Sequence, residues 1–149
     1  MSKLRHVSKW QWIFLFAVVL WTAFIWGNSL QPAVDSSAQS QSVVDLLKPL
    51  LSTLGIPVGL WQHLIRKAAH MFEFFVLCLF WLGVFRGKRF SWPLVLSLLT
   101  ACVDESIQYF VPGRSNQLSD VVIDFLGALI AATVCAGIMQ LIRRHKKTP

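Results

Sequence analysis

The sequence predicts an all-α membrane protein: a bundle of four transmembrane helices, both termini in the cytoplasm, with an amphipathic helix in the first outer loop. Three observations predict it. Of 149 residues, 55% are apolar and only 14% are charged, against roughly a quarter charged in a soluble domain. The apolar residues gather in four long blocks, and each membrane helix needs about 20 of them. The basic residues flank those blocks. A soluble enzyme, a disulfide-stapled secreted domain and a disordered chain are all excluded by this pattern.

The first block runs from about residue 10 to 30, with no charge between Lys9 and Asp35. A basic start followed by Ser36-Ser37-Ala38 also fits a signal peptide, but the apolar stretch is too long and that cleavage site lies too far beyond it, so an uncleaved span is expected. The connection from Asn28 to His63 begins polar, with five serines from Ser29 to Ser42. Val43, Val44, Leu47, Leu50, Leu51 and Leu54 then repeat at helical spacing, with Asp45 near the start and Gly55 and Pro57 at the end. This predicts an interfacial helix over about 42–54, lying on the outer surface or over the bundle. Further spans are expected at about 64–85, 92–111 and 118–142. The last carries Gly127, Ala128, Ala131, Ala132, Ala136 and Gly137, small residues that let helices approach closely. Blocks of this length are helical; no series of short alternating segments suggests a barrel.

Orientation follows from Lys and Arg. Lys3, Arg5 and Lys9 precede the first span, Arg86, Lys88 and Arg89 join the second to the third, and Arg143, Arg144, Lys146 and Lys147 follow the fourth. A four-span topology puts all three groups on the cytoplasmic side. Trp10, Trp12, Trp81 and Trp92 are then expected at the inner interface, and Trp26 and Trp61 at the outer. The net charge of +7 reflects this topology rather than a nucleic-acid surface, because no groove-sized basic patch exists. Cys78, Cys102 and Cys135 all fall within apolar blocks and are expected to be packing residues, neither disulfides nor zinc ligands.

The second and third spans contain an anomaly. Their charge-free runs, Phe74–Phe85 and Phe90–Val103, hold 12 and 14 residues. Twelve residues cover ~18 Å of a ~30 Å hydrocarbon core. Each span must therefore include its charged outer end, drawing His70, Glu73, Asp104 and Glu105 into the membrane. Asp124 lies about six residues inside the fourth. Polar groups from three helices thus converge roughly 10 Å below the outer surface. Arg66, His70 and Glu73 share one helical stripe; Asp104 and Gln108 are one turn apart, as are Asp120 and Asp124. Asp104 and Glu105 lie about 100° apart, so at most one points straight to the centre. Intramembrane carboxylates are costly and mark functional sites unless mutual pairing with Arg66, Lys67 and Arg114 explains them.

The order of these residues is informative. Arg66-Lys67-x-x-His70-x-x-Glu73 is followed by Asp104-Glu105-x-x-Gln108, then Pro112-Gly113-Arg114, Asp120-Val121-x-x-Asp124 and Gly127, with Ser29-x-Gln31 after the first span. This series resembles the VanZ-like family of small bacterial membrane proteins, over nearly the whole chain from Asn28 to Gly127. The resemblance implies a single membrane domain over 1–149, a place in the bacterial cytoplasmic membrane and a role at the cell envelope. The family's founding member is associated with low-level resistance to the glycopeptide teicoplanin. The resemblance supplies no mechanism.

Three readings of the polar cluster follow. In the first, an enzyme faces the outer leaflet: Arg66, Lys67 and Arg114, with Asp104, Gln108 and Asp120, bind the headgroup of a lipid or lipid-linked wall precursor. His70, Glu73, Glu105 and Asp124 are its candidate acids and bases. No cofactor is expected. A divalent ion such as Mg²⁺ or Mn²⁺ is a variant, held by His70 and Glu73 with Asp104 or Glu105 and Asp124, and the arginines speak against it by balancing the acids. The second reading is a non-catalytic module binding an envelope ligand or glycopeptide. The third, a transporter or proton relay, is opposed because every ionisable residue in the spans lies in the outer half, leaving no continuous polar path through the inner half.

Overall fold

The computed structural model describes residues 8–114 and 117–146, all in helices and short turns. Lys3, Arg5 and Lys147, which entered the topology argument, lie outside the described residues. The helices are α1 (Lys9–Ser29), α2 (Ala33–Thr53), α3 (Trp61–Val84), α4 (Ser91–Tyr109) and α5 (Leu118–His145), with a 3-10 turn at Val58–Leu60 before α3. Segments Lys9–Ser29, Val58–Val84 and Leu118–His145 are long and apolar enough to cross a membrane. α4, expected as a span, is not among these three; its last turns carry Asp104, Glu105 and Gln108.

Each helix buries one stripe. Ser8 caps α1 in a capping box with Gln11, satisfying two donors at the helix start. α1 turns Val18, Ile25 and Ser29 inward. It is tied to α3 near its start, where Gln11 Nε2 donates to the Val84 carbonyl at 3.0 Å, and midway along, where Trp21 Nε1 donates to the Glu73 carbonyl at 2.8 Å. α4 buries Pro93, Ser97, Ala101, Asp104 and Gln108 along one face, and α5 buries Asp124, Gly127, Ala128, Ala131 and Ala132. Away from the acids the core of the bundle is mainly apolar, built on Val18, Phe74, Leu77, Cys78, Leu82, Ala101, Ala128 and Ala131, with Ser97 of α4 the buried polar side chain among them.

Gly127 sets the closest approach. A Cβ there would overlap the backbone carbonyl of Met71, so the absence of a side chain lets α5 lie directly against α3. Met71 follows His70, and Gly127 lies one turn beyond Asp124; this contact brings His70 and Asp124 opposite each other.

α2 is longer than expected, beginning at Ala33 rather than near residue 42. Its inward stripe runs Ala33, Ser36, Ser40, Val44, Leu47 and Leu51. The second half packs on Trp61 and Ile65 of α3. Ser36-Ser37-Ala38, weighed above as a cleavage site, lies inside this helix. The helix ends as expected: Gly55 takes φ +67° and Ile56 N–H returns to the Leu51 carbonyl, with Pro57 next.

Two groups of side chains differ from expectation. Trp61 does not join an interfacial belt; it is buried under α2, where Nε1 donates to the Ile56 carbonyl at 2.8 Å. Trp26 and Trp81 also pack against the core, while Trp10, Trp12 and Trp92 face outward. Packing against a neighbouring helix wins over the interface wherever a second apolar surface is available. Among the cysteines Cys78 is buried, Cys135 is half-buried and Cys102 faces outward, and all three are free thiols.

Candidate functional site

The polar ends of α1, α3, α4 and α5 meet beneath the first half of α2, in three layers.

The outermost is a rim. Lys67 Nζ of α3 pairs with Asp120 Oδ1 at the start of α5, at 3.0 Å and partly exposed. Lys67 was expected to hold a ligand; its charge is already matched by Asp120.

Below the rim lies a cavity of about 170 Å³, walled by Arg66, His70 and Glu73 of α3, Asn28 and Gln31 at the end of α1, Ser36 and Ser40 of α2, and Arg114. A smaller chamber of about 50 Å³ shares Ser36, Arg66, His70 and Arg114 and adds Gln108 and Asp120. The i, i+4, i+7 spacing of Arg66, His70 and Glu73 brings all three to one space. Glu73 Oε1 accepts a hydrogen bond from Asn28 Nδ2 at 2.9 Å. Asn28 and the serines of α2 were not singled out as site residues. The signal was present in the spacing of Ser36 and Ser40, but without apolar periodicity that stretch does not read as a helix.

Arg114 is placed by backbone, not by acids. Its Nε donates to the Gln31 carbonyl at 3.0 Å and one Nη to the Asn28 carbonyl at 2.9 Å. These carbonyls lie at the C-terminal end of α1, the negative pole of that helix, whose last turn has no basic residue of its own. Burial pushes the guanidinium below its usual range, and the carboxylates of Asp104, Glu105 and Glu73 draw it back up. Among the described residues, neither Arg114 nor Arg66 forms an ion pair, so the alternative weighed above, mutual pairing of the arginines with the buried acids, is not formed.

The innermost layer is a buried cluster. Asp104 is fully buried; Oδ1 accepts from Ser29 Oγ at 2.7 Å and Oδ2 from Gln108 Nε2 at 2.9 Å. Gln108 Nε2 also reaches Ser29 Oγ at 3.2 Å, closing a triangle between α1 and α4. Asp124 of α5 is likewise fully buried, and neither of its oxygens accepts a hydrogen bond. His70 Nδ1 stands 3.7 Å from Asp124 Oδ1. One ligand-type atom from each of His70, Asp104 and Asp124 lies within 4.8 Å of the other two.

Glu105 stands apart from this cluster. It is buried like Asp104, and its Oε2 accepts from the Gln117 backbone N–H at 3.2 Å, which ties α4 to the start of α5, while its Oε1 is buried without a hydrogen-bond partner. The 100° between adjacent positions separates the two acids: Asp104 turns to α1 and Glu105 to the connecting segment.

Of the ten residues singled out from the sequence, the structure therefore brings His70, Asp104, Gln108 and Asp124 into one buried cluster. Arg66, Glu73 and Arg114 join His70 on the cavity wall. Lys67 and Asp120 form the rim, and Glu105 is engaged elsewhere. Chemically, the assembly offers cations facing a small cavity, two proton-transfer groups on its wall and unpaired carboxylate oxygens beneath.

No curated protein and no solved structure shows a significant match to this chain. A family model does: the one described as VanZ/LLP1 matches residues 14–142. The match takes in every residue of the three layers, from Asn28 to Asp124, as the order of polar motifs implied. The chain belongs to the VanZ/LLP1 family.

Proposed function

We propose that this VanZ/LLP1-family protein is a membrane enzyme acting on the anionic headgroup of a lipid or lipid-linked wall precursor. The headgroup enters from the outer leaflet of the bacterial cytoplasmic membrane. In this reading α1, α3, α4 and α5 all cross the bilayer, with both termini in the cytoplasm. The 19 residues of α4 cover ~28 Å once its acidic end is included, and that end is sheltered by α1 and α5 rather than facing lipid.

The observation that carries the reading is the cavity wall. Arg66 is bound to no acid, and Arg114 spends only part of its five-donor fork on carbonyls. Both therefore present donors suited to a phosphate or carboxylate. Glu73 and His70 line the same cavity and supply the two groups needed to take a proton from an attacking water or hydroxyl and return one to a leaving oxygen. The Asn28 amide holds the Glu73 carboxyl in place. Among the described residues the wall serines Ser36 and Ser40 have no base hydrogen-bonded to their hydroxyls, so direct attack fits better than a covalent intermediate. Among the described residues the buried acids all lie at one end of the bundle, and the core at the other end buries only Ser97 as a polar side chain, which opposes a proton path through the bundle. A role at the envelope agrees with what resemblance to the founding member implies about teicoplanin.

The test is mass spectrometry of envelope lipids and wall precursors from cells expressing the wild type or Glu73→Gln at matched membrane levels. A species altered by the wild type alone is the expected result. Identical profiles, with both proteins folded in the membrane, contradict catalysis and leave a non-catalytic binding module.

A further inference from the structure

The buried cluster holds an unsolved electrostatic problem. Asp124 is wholly enclosed between α3, α4 and α5, and both carboxylate oxygens lack any hydrogen-bond donor. His70 Nδ1 is also buried and unpartnered. Such groups are rare in folded proteins and costly where they occur. The two face each other at 3.7 Å, too far for a hydrogen bond. Nearby cations do not solve the problem, because Arg114 is turned to the end of α1 and Lys67 to Asp120.

We propose that His70, Asp104 and Asp124 bind a divalent metal ion, with His70 Nδ1 and one oxygen of each carboxylate as its protein ligands. Two ligands of one ion at ~2.1 Å stand ~3.0–3.4 Å apart when adjacent, and somewhat over 4 Å when opposite. The observed separations, 3.7 Å for His70–Asp124 and within 4.8 Å for all three, need only a small closure. Two carboxylates neutralise the ion. Ser29 and Gln108 hold Asp104 by both oxygens, as outer partners commonly orient a ligating carboxylate. Each Asp104 oxygen keeps a lone pair for the ion. One imidazole with two carboxylates suits Mn²⁺ or Zn²⁺ better than Mg²⁺, which prefers oxygen alone.

Three protein ligands leave coordination positions open, and His70 and Gln108 connect the cluster to the cavity above it. The ion therefore deepens the headgroup reading, and its role there rests on that reading. It polarises a headgroup oxygen or bound water, and proton transfer falls to Glu73, since His70 is then a ligand.

The test is metal binding by the purified full chain in detergent, stripped with chelator and titrated with Mn²⁺ or Zn²⁺ alone. Calorimetry and thermal unfolding report the outcome. One ion per chain and an upward melting shift are expected. Asp124→Asn removes the buried charge and folds without metal, so its loss of both binding and shift identifies the ligand. Ser29→Ala, which loosens Asp104, weakens binding ~10–100-fold. Absence of stoichiometric uptake by the wild type overturns the site, as does undiminished binding by Asp124→Asn. Neither result touches the headgroup reading, which is read separately from anionic-lipid binding by the metal-free protein.

Discussion

The guanidinium of Arg114 sits between the end of one helix and the wall of a cavity, and its geometry separates two roles that charge alone would merge. Two of its nitrogens hold the Asn28 and Gln31 carbonyls, and the remaining donors are left for a ligand. Lysine has one nitrogen and no fork. Arg114→Lys is therefore expected to destabilise the folded protein by about 1–3 kcal/mol, and to weaken anion binding as well. Chemical unfolding in detergent checks the first effect. Unchanged stability would mean that the contacts to α1 contribute little. Arg114 was legible in the sequence as a functional cation, but not as a cap on α1, because backbone carbonyls leave no residue-type signal. The same holds for Asp124: its depth follows from its place in α5, while its lack of partners depends on where Arg66 and Lys67 turn.

Helices were legible where apolar residues repeat, and less so where they do not. The spans of α1, α3 and α5 agree with the sequence blocks to within a few residues. The first turns of α2 escaped notice because Ser36 and Ser40 give no hydrophobic period, although they continue the stripe of Val44, Leu47 and Leu51. The small-residue stretch of α5 was legible as packing, but only the structure singles out Gly127 among its members, since Gly137 has open space where its Cβ would be. Gly127→Ala forces α5 away from α3 and draws Asp124 from His70. A loss of about 1–3 kcal/mol is expected from overpacking, together with loss of metal binding. Gly137→Ala serves as the control and is expected to leave both unchanged. Equal effects of the two would place the helix contact elsewhere.

Across the whole molecule, polarity is segregated by depth. The apolar core lies between Val18, Leu82 and Ala132, and the buried acids occupy one end only. The sequence anticipated this segregation from charge-free runs too short to span. It did not anticipate how the charges divide into rim, cavity and buried cluster, because that depends on inter-helix register. In the proposed topology the α3–α4 turn is cytoplasmic and the α4–α5 segment outside. A membrane-impermeant thiol reagent should label Ser119→Cys in intact cells, and Lys88→Cys only after permeabilisation, with labelling at native cysteines subtracted. The reverse pattern would turn the molecule over and place the site at the inner leaflet.

The central claim is that the cavity beneath α2 takes an anionic headgroup, and native mass spectrometry tests it most directly. The full chain and Arg66→Gln would be released from detergent after incubation with equal amounts of an anionic phospholipid and a zwitterionic one. Arg66 is exposed and bound to no acid, so its replacement should leave the fold intact. The account predicts a one-to-one complex with the anionic lipid for the wild type, reduced at least tenfold in the variant, and no comparable complex with the zwitterionic lipid. Equal retention of both lipids by both proteins would contradict it.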